Sequence, residues 1–175
     1  LRRILEAFPP SGMRDGDIYV LNDPHDGGTH LPDLILAVPA FREGALVGFS
    51  VNLAHQEDMG GKVPGSMPAD AVEIYQEGLI VPPLRLYEAG RPNETLFAML
   101  RRNVRIPDVV LGDIGAQVAA GLLGMRRLLE LCDQFGTGTL QAYFDALLDY
   151  AEALTRDRLA EIPDGVYAFT DYMDN

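Results

Sequence analysis

LILAVPAFREGALVGFSVNLA, residues 34–54, contains two apolar runs that are separated only by the short segment REG, residues 42–44. Both runs are rich in β-branched and aromatic residues, which predicts β-strands, and so short a connection predicts an antiparallel hairpin. Opposed residues in such a hairpin have numbers that sum to about 86–88. The pairing therefore places Asp33 opposite one of residues 53–55.

Weaker patterns lie on both sides of this hairpin. LRRILEAF, residues 1–8, has the apolar spacing of one helix face, and DIYVL, residues 17–21, has the composition of a strand. Residues 55–93 are rich in glycine, proline and methionine and show no sustained period. This segment predicts a long ordered loop with one short strand or helix, and loops of that length are usually functional.

The pattern changes at Asn93. Apolar residues recur at intervals of three and four in three segments, which predicts helices over 94–104, 108–135 and 140–162. Asp164-Gly165 then leads into VYAFTDYMD, residues 166–174, an alternating pattern that predicts a closing strand. The predicted fold class is α+β, with a β-rich half, residues 1–92, and a helical half with a closing strand, residues 93–175.

Composition restricts the function. The chain has 14 basic and 26 acidic residues and a net charge of −12, which argues against binding to nucleic acid or to an anionic membrane surface. Cys132 is the only cysteine, so the 175 residues cannot form an internal disulfide or a multi-cysteine zinc site. The N-terminus lacks a signal-like apolar core, and we expect a cytoplasmic protein. The missing initiator methionine and the abrupt ends predict an internal piece of a longer chain.

The three histidines fall in two polar segments that flank the hairpin. His25 and His30 lie in NDPHDGGTHLPD, residues 22–33, and His55 lies in AHQEDMGG, residues 54–61. The hairpin brings both segments to one end, so His30, Asp33 and His55 form a candidate divalent-metal site, although a one-residue register decides whether they share a face. Ordinary polar turn residues that cap strand ends remain the alternative at this point.

Other catalytic arrangements lack their motifs. None of the three serines, Ser11, Ser50 and Ser66, lies in a G-x-S-x-G sequence, so a nucleophile elbow is not indicated. No phosphate-binding G-x-x-x-x-G-K-[ST] loop is present, because the only lysine, Lys62, lies in GGKVPG without the following hydroxyl residue.

Several long motifs nevertheless occur together in a characteristic order. NDPHDGGTHLPD, AHQEDMGG, PGSMP, EIYQEGLIVPPLRL, NVRIPDVVLGDIGAQ and IPDGVYAFTDYMD follow one another along the chain. In this order they resemble the hydantoinase B/oxoprolinase family, over essentially the whole chain. Two positions depart from the family pattern: His25 stands where an aromatic residue is common, and Gln56 where many members have a second histidine.

The resemblance implies an enzyme of two components. A partner subunit or domain of the hydantoinase A type, with an actin-like ATPase fold, handles ATP, and the B-type component opens a small cyclic amide such as a hydantoin, 5-oxoproline or a lactam. The family's metal pattern falls on His30, Asp33 and His55, and Mn, Zn or Fe is the expected divalent ion.

The resemblance also suggests roles for residues around these ligands. Asp58 is a candidate general base or a support for the ligands, because it follows His55 as Asp33 follows His30. The candidate substrate-binding residues are those of the two glycine-containing segments, namely Asn22, Asp23, His25, Gly27, Gly28, Gly60 and Gly61. Two other functions stay open: a ketone carboxylase component of the acetone or acetophenone type, and a non-catalytic interaction module based on the helical half.

Overall fold

An antiparallel sheet is the centre of the protein. The structure is a computed structural model, and it describes residues 1–172. Five strands occur in the order β3-β2-β1-β4-β5 across the sheet. Their bounds are Ile18–Leu21 (β1), Asp33–Arg42 (β2), Ala45–His55 (β3), Leu84–Glu88 (β4) and Arg91–Pro92 (β5).

The described residues also form four helices. They are Arg2–Ala7 (α1), Glu94–Asn103 (α2), Pro107–Phe135 (α3) and Thr137–Ala160 (α4). Short 3-10 turns occur at Pro10–Gly12, Pro24–Asp26, Pro64–Ser66 and Ile74–Gln76. The strands of the sheet precede the long helices along the chain, and this order confirms the predicted α+β class.

The predicted hairpin is confirmed, and its register is now defined. Asp33 lies directly opposite His55, Ile35 opposite Leu53, and Ala37 opposite Val51. The register shifts at Ala40/Phe41, so the pairing changes by one residue close to the turn. The end of the hairpin that carries Asp33 and His55 lies on the regular side of this irregularity.

The core of the sheet has two sides. On one side, Leu34, Leu36 and Val38 of β2 pack with residues of α2 and α3 such as Leu100 and Ile114. On the other side a second apolar cluster is centred on Ile4, Met13, Tyr19, Leu21, Ile35 and Ala37. Strand β2 is therefore covered on both faces, which explains why its sequence is apolar throughout rather than alternating.

Helix α3 lies very close to the hairpin. A Cβ added to Gly121 would meet Val38 Cγ2 at 2.9 Å and Asn52 Nδ2 at 3.2 Å, so only glycine permits this approach. Among the described residues, α3 alone has the length and mean hydropathy, 1.3, of a helix that could cross a membrane. A core helix passes the same test, and one face of α3 packs on the sheet.

Two sequence predictions need correction. The loop at 55–93 holds two strands, β4 and β5, and two 3-10 turns rather than a single short element. The closing strand is wrong over residues 166–172, which are exposed and form no strand in the described part of the chain. These residues pair with no neighbouring strand among the described residues, and a strand is stable only when its backbone is hydrogen-bonded to a neighbour. Residues 173 and 174 of that prediction lie outside the described residues.

The chain forms two compact units, Leu1–Gln134 and Phe135–Asn175. The first holds the sheet, α1, α2 and nearly all of α3, so helices 2 and 3 belong with the β-rich part. The second holds α4, on which Arg156–Glu152 and Arg158–Glu161 form exposed ion pairs.

Candidate metal centre

Asp33 bridges two imidazole rings at the open end of the hairpin. Its Oδ1 lies 2.7 Å from Nδ1 of His55, and its Oδ2 lies 2.8 Å from Nδ1 of His30. The two ring centroids are 6.1 Å apart, with an interplanar angle of 76°. The structure thus brings together the three residues that the sequence selected.

Strand pairing and a tight turn position these side chains. His55 is the last residue of β3 and lies directly across from Asp33, the first residue of β2. The backbone N–H of His30 donates to Asp33 Oδ2, and the backbone N–H of Asp33 donates to the carbonyl of His30. The turn between them therefore returns the His30 ring to the same carboxylate.

The carboxylate and the rings differ in their exposure. The Asp33 side chain is 9% exposed, whereas the side chains of His30 and His55 are 49% and 50% exposed. Burial raises the pKa of Asp33. Hydrogen bonds with His55 and His30 lower this pKa by more than burial raises it, so the net pKa lies below the usual carboxyl value. Asp33 is therefore an anion held beneath two solvent-accessible imidazoles.

These donors fit a divalent transition metal. One ligand atom from each of His30, Asp33 and His55 lies within 4.8 Å of the others. Two atoms bound to one ion through bonds of about 2.0–2.2 Å are at most about 4.4 Å apart, so a small rotation of the exposed rings is sufficient. Two imidazoles and a carboxylate are also the donor set that Mn, Fe and Zn accept, and they leave positions for other ligands.

The turn that begins at Asn22 is held by the side chain of Asn22. Asn22 is fully buried; its Nδ2 donates to the carbonyls of Leu31 and Leu79, and its Oδ1 accepts from the N–H of Val81. The Asn22 amide is thus fully engaged and closed to solvent, and its role in substrate binding stays a prediction. Its contacts fix the turn that carries His30.

The rest of this turn is also internally bonded. Asp23 Oδ1 accepts from the N–H of His25, and the carbonyl of Asp23 accepts from the N–H of Gly28. A Cβ on Gly28 would collide with the carbonyl oxygen of Asn22, so this glycine serves the turn itself. Gly27, with φ 103°, and the exposed His25 lie in a cleft with Arg2 and Arg3, apart from the metal-ligand group.

Asp58 has a different environment from the one predicted. It is buried, and its two oxygens accept from the N–H groups of Gly60, Gly65 and Arg105 and from the Arg105 guanidinium at 2.8 Å. Burial raises its pKa, but these donors lower it more, so its pKa lies below the usual carboxyl range. Asp58 therefore organises the loop after β3, and its role as a general base stays a prediction.

Gly60 and Gly61 belong to the same loop. Both have positive φ, 87° and 79°. A Cβ on Gly60 would meet the carbonyl oxygen of Asn103 at 2.7 Å, and one on Gly61 would meet that of Gln76 at 2.5 Å. Gly60 and Gly61 thus permit a close approach to neighbouring backbone of the chain itself, and substrate binding by them stays a prediction.

One residue near the site was missed by the sequence analysis. Gln117 is buried on α3; its Nε2 donates to the carbonyl of Leu34, and its Oε1 accepts from Nε2 of Gln56. The backbone N–H of Gln56 donates to the carbonyl of Pro32. These bonds tie the end of β3 to the start of β2 and to α3. A single glutamine in the apolar run IGAQVAAG was the available signal.

Comparison with known proteins gives the class. The family described as hydantoinase B/oxoprolinase matches residues 1–175, and the chain belongs to this family. The putative B-type component of a D-/L-hydantoinase from Pseudomonas sp. (strain NS671) is 38% identical over 99% of this chain and 29% of its own length.

Two solved structures share the fold, with different degrees of similarity. The crystal structure of ATP-dependent caprolactamase from Pseudomonas jessenii matches with a TM-score of 0.82 and 37% identity, over 87% of this chain and 26% of that chain. The nucleotide-free structure of acetone carboxylase matches with a TM-score of 0.70 and 27% identity, over 79% of this chain and 18% of that chain. The chain spans less than a third of the length of these three relatives.

Proposed function

We propose that this chain is the metal-site part of the B-type component of an ATP-dependent amidohydrolase that opens a small cyclic amide. The observation that carries the proposal is the convergence of His30, Asp33 and His55 at one end of the hairpin. The relatives named as a hydantoinase component and a caprolactamase support the choice of cyclic amides. ATP is handled by a partner subunit or domain of the A type, consistent with the lack of a phosphate-binding loop motif in the sequence.

The residues divide the work of the site. Ring opening adds water oxygen to the carbonyl carbon, breaks the C–N bond and leaves a proton on the nitrogen. A divalent ion held by His30, Asp33 and His55 supplies Lewis-acid polarisation of an oxygen when it is bound. Asp33 holds both rings from its buried position, and the turn from Asn22 and the Gln56–Gln117 contact fix the segments that carry them.

The direct test supplies the complete protein and its ATPase partner with ATP, Mg²⁺ and a panel of hydantoins, 5-oxoproline and lactams. We expect ring-opened product and ADP to form together, and the His30→Ala variant to lose at least about 100-fold in kcat/KM, since a metal ligand is removed. Asp113→Asn is the control, because Asp113 is exposed on α3, and it should keep the rate of the unmodified protein. Equal rates for His30→Ala and the unmodified protein would refute the proposal.

Carboxylation of a ketone is the second candidate. The structural match to acetone carboxylase supports it, although that match is weaker in both identity and TM-score than the caprolactamase match. The two reactions differ in one reagent: a carboxylase releases ADP only with bicarbonate and a ketone, whereas an amidohydrolase needs neither. A protein that binds no metal and supports neither reaction would instead favour a non-catalytic module.

A further inference from the structure

Two apolar residues near the end of strand β3 are open to solvent. Val51 and Leu53 are 46% and 53% exposed, although β3 is one of the longest strands of the sheet. Side chains alternate along a strand, so Val51, Leu53 and the metal-site residue His55 share one face. We refer to Val51 and Leu53 as the apolar strip.

The other face of β3 is polar and covered. Asn52 donates to the carbonyl of Gln117 on α3, and Ser50 lies so close to α3 that a Cβ on Gly124 would collide with its hydroxyl. Phe49, two residues before Val51 on the opposite face, the face of the apolar strip, packs against the second apolar cluster, so Val51 and Leu53 continue an apolar face beyond the residues that cover it. This uncovered continuation can receive a ligand or another apolar surface.

The strip is continuous with the candidate metal centre. Leu53 lies two residues before His55 and directly opposite Ile35, which in turn lies two residues after Asp33. Ile35 is already part of the apolar cluster that includes Ile4 and Met13, whereas Leu53 extends beyond that cover. A small molecule held at the three ligands therefore has an apolar wall on one side.

Charge also restricts what this surface can accept. Residues 15–41 and 43–61, which supply both ligand segments and both hairpin strands up to the REG turn, contain no lysine or arginine. A substrate with a free carboxylate has no cation from these segments to balance it, and desolvating an unpaired charge is costly. A neutral molecule with a hydrocarbon part avoids this penalty.

We propose that Leu53, with Val51 beyond it, forms an apolar subsite that binds the hydrocarbon part of a neutral amide held at His30, Asp33 and His55. This inference rests on the proposed function and narrows it: the preferred substrate is a neutral cyclic amide with several methylene groups rather than an anionic one such as 5-oxoproline. Leu53 is then a determinant of specificity and not a catalytic residue.

Binding of n-alkyl hydroxamates tests the subsite without relying on turnover. The hydroxamate head is a metal-binding group, and its alkyl chain reports the adjacent surface. We expect calorimetry on the complete, zinc- or manganese-loaded protein to show affinity rising about two- to threefold per methylene from acetohydroxamate to hexanohydroxamate, less than for full burial. In Leu53→Ala the gain should fall below about 1.5-fold per methylene, with metal content unchanged.

Leu123→Ala is the matched control, because Leu123 is a comparably exposed leucine on α3. It should keep the full gain per methylene. A further probe is N-hydroxysuccinamate, which has a terminal carboxylate and should bind about tenfold more weakly than butanohydroxamate.

The outcomes separate the two proposals. An equal gain per methylene in Leu53→Ala and the unmodified protein, or no gain in either, overturns the subsite while acetohydroxamate binding still supports the metal centre. Loss of stability or of assembly with the partner in Leu53→Ala, with the gain per methylene intact, assigns the strip to a protein surface and also overturns it. Absence of both metal and acetohydroxamate binding overturns the metal centre itself.

Discussion

Asp33 and Asp58 show how similar buried carboxylates acquire different roles. Both have a pKa below the usual range because hydrogen bonds outweigh the effect of burial. The side-chain partners of Asp33 are two half-exposed imidazoles that can rotate, whereas the partners of Asp58 are backbone N–H groups and Arg105. A metal ion can replace the hydrogen bonds between Asp33 and the two imidazoles. The contacts of Asp58, by contrast, fix a loop.

Replacing Asp58 should change stability and its pH dependence. The folded-state pKa of Asp58 lies below its unfolded value, so the carboxylate stabilises the fold above the ordinary carboxyl pKa, and this contribution is lost as pH falls through that range. We expect Asp58→Asn to lower the free energy of unfolding of the complete protein by about 2–4 kcal/mol at pH 7 and by much less in acid.

Urea unfolding at several pH values measures this difference. Asp113→Asn is the matched control, since Asp113 is exposed on α3, and it should change the stability by less than about 0.5 kcal/mol. A loss for Asp58→Asn that is equally large at pH 7 and in acid would contradict the assignment.

At the scale of elements, the hairpin and α3 depend on each other. The hairpin brings Asp33 and His55 together through its register, and α3 fixes the hairpin through Gln117 and the close approach at Gly121. On the polar face of β3, the Asn52 amide donates to the carbonyl of Gln117 on α3. A shift of α3 should therefore disturb the metal-site end of β3 as well as the core.

Two glycine substitutions on α3 should have opposite effects. Gly121→Ala places a methyl group against Val38 and Asn52, and we expect a net loss of about 1–2 kcal/mol after the gain in helix propensity. Gly115→Ala is the control: its Cβ would meet nothing within 4 Å, and it should stabilise the helix by up to about 1 kcal/mol. Thermal unfolding of both variants measures these changes in stability. Equal stabilisation by both would show that α3 lies farther from the hairpin than described.

For the whole molecule, the sequence predicted best where a pattern was local. The hairpin was predictable because two apolar runs flank a very short turn, and α2, α3 and α4 because their periods are sustained. Strand β4 was obscured by nearby glycines and prolines, and it is stabilised by pairing with β1, a contact between distant segments. The false strand at 166–172 shows the converse, a local pattern without a partner.

The same distinction applies to the site. The candidate ligands His30, Asp33 and His55 could be selected because one hairpin, made of residues close in sequence, brings their segments to the same end; the register that places Asp33 opposite His55 came from the structure. The roles of Asn22 and Asp58 could not, because their partners Val81 and Arg105 lie far along the chain. Polar residues in a glycine-rich segment look alike in sequence whether they bind a substrate or hold the loop.

The metal content of the complete protein tests the central claim most directly, because the chain has only three histidines. We predict one tightly bound divalent transition-metal ion per chain, by elemental analysis, in the unmodified protein and in His25→Ala, and its loss in His30→Ala and in His55→Ala. Equal metal content in all four proteins, or loss confined to His25→Ala, would contradict the account.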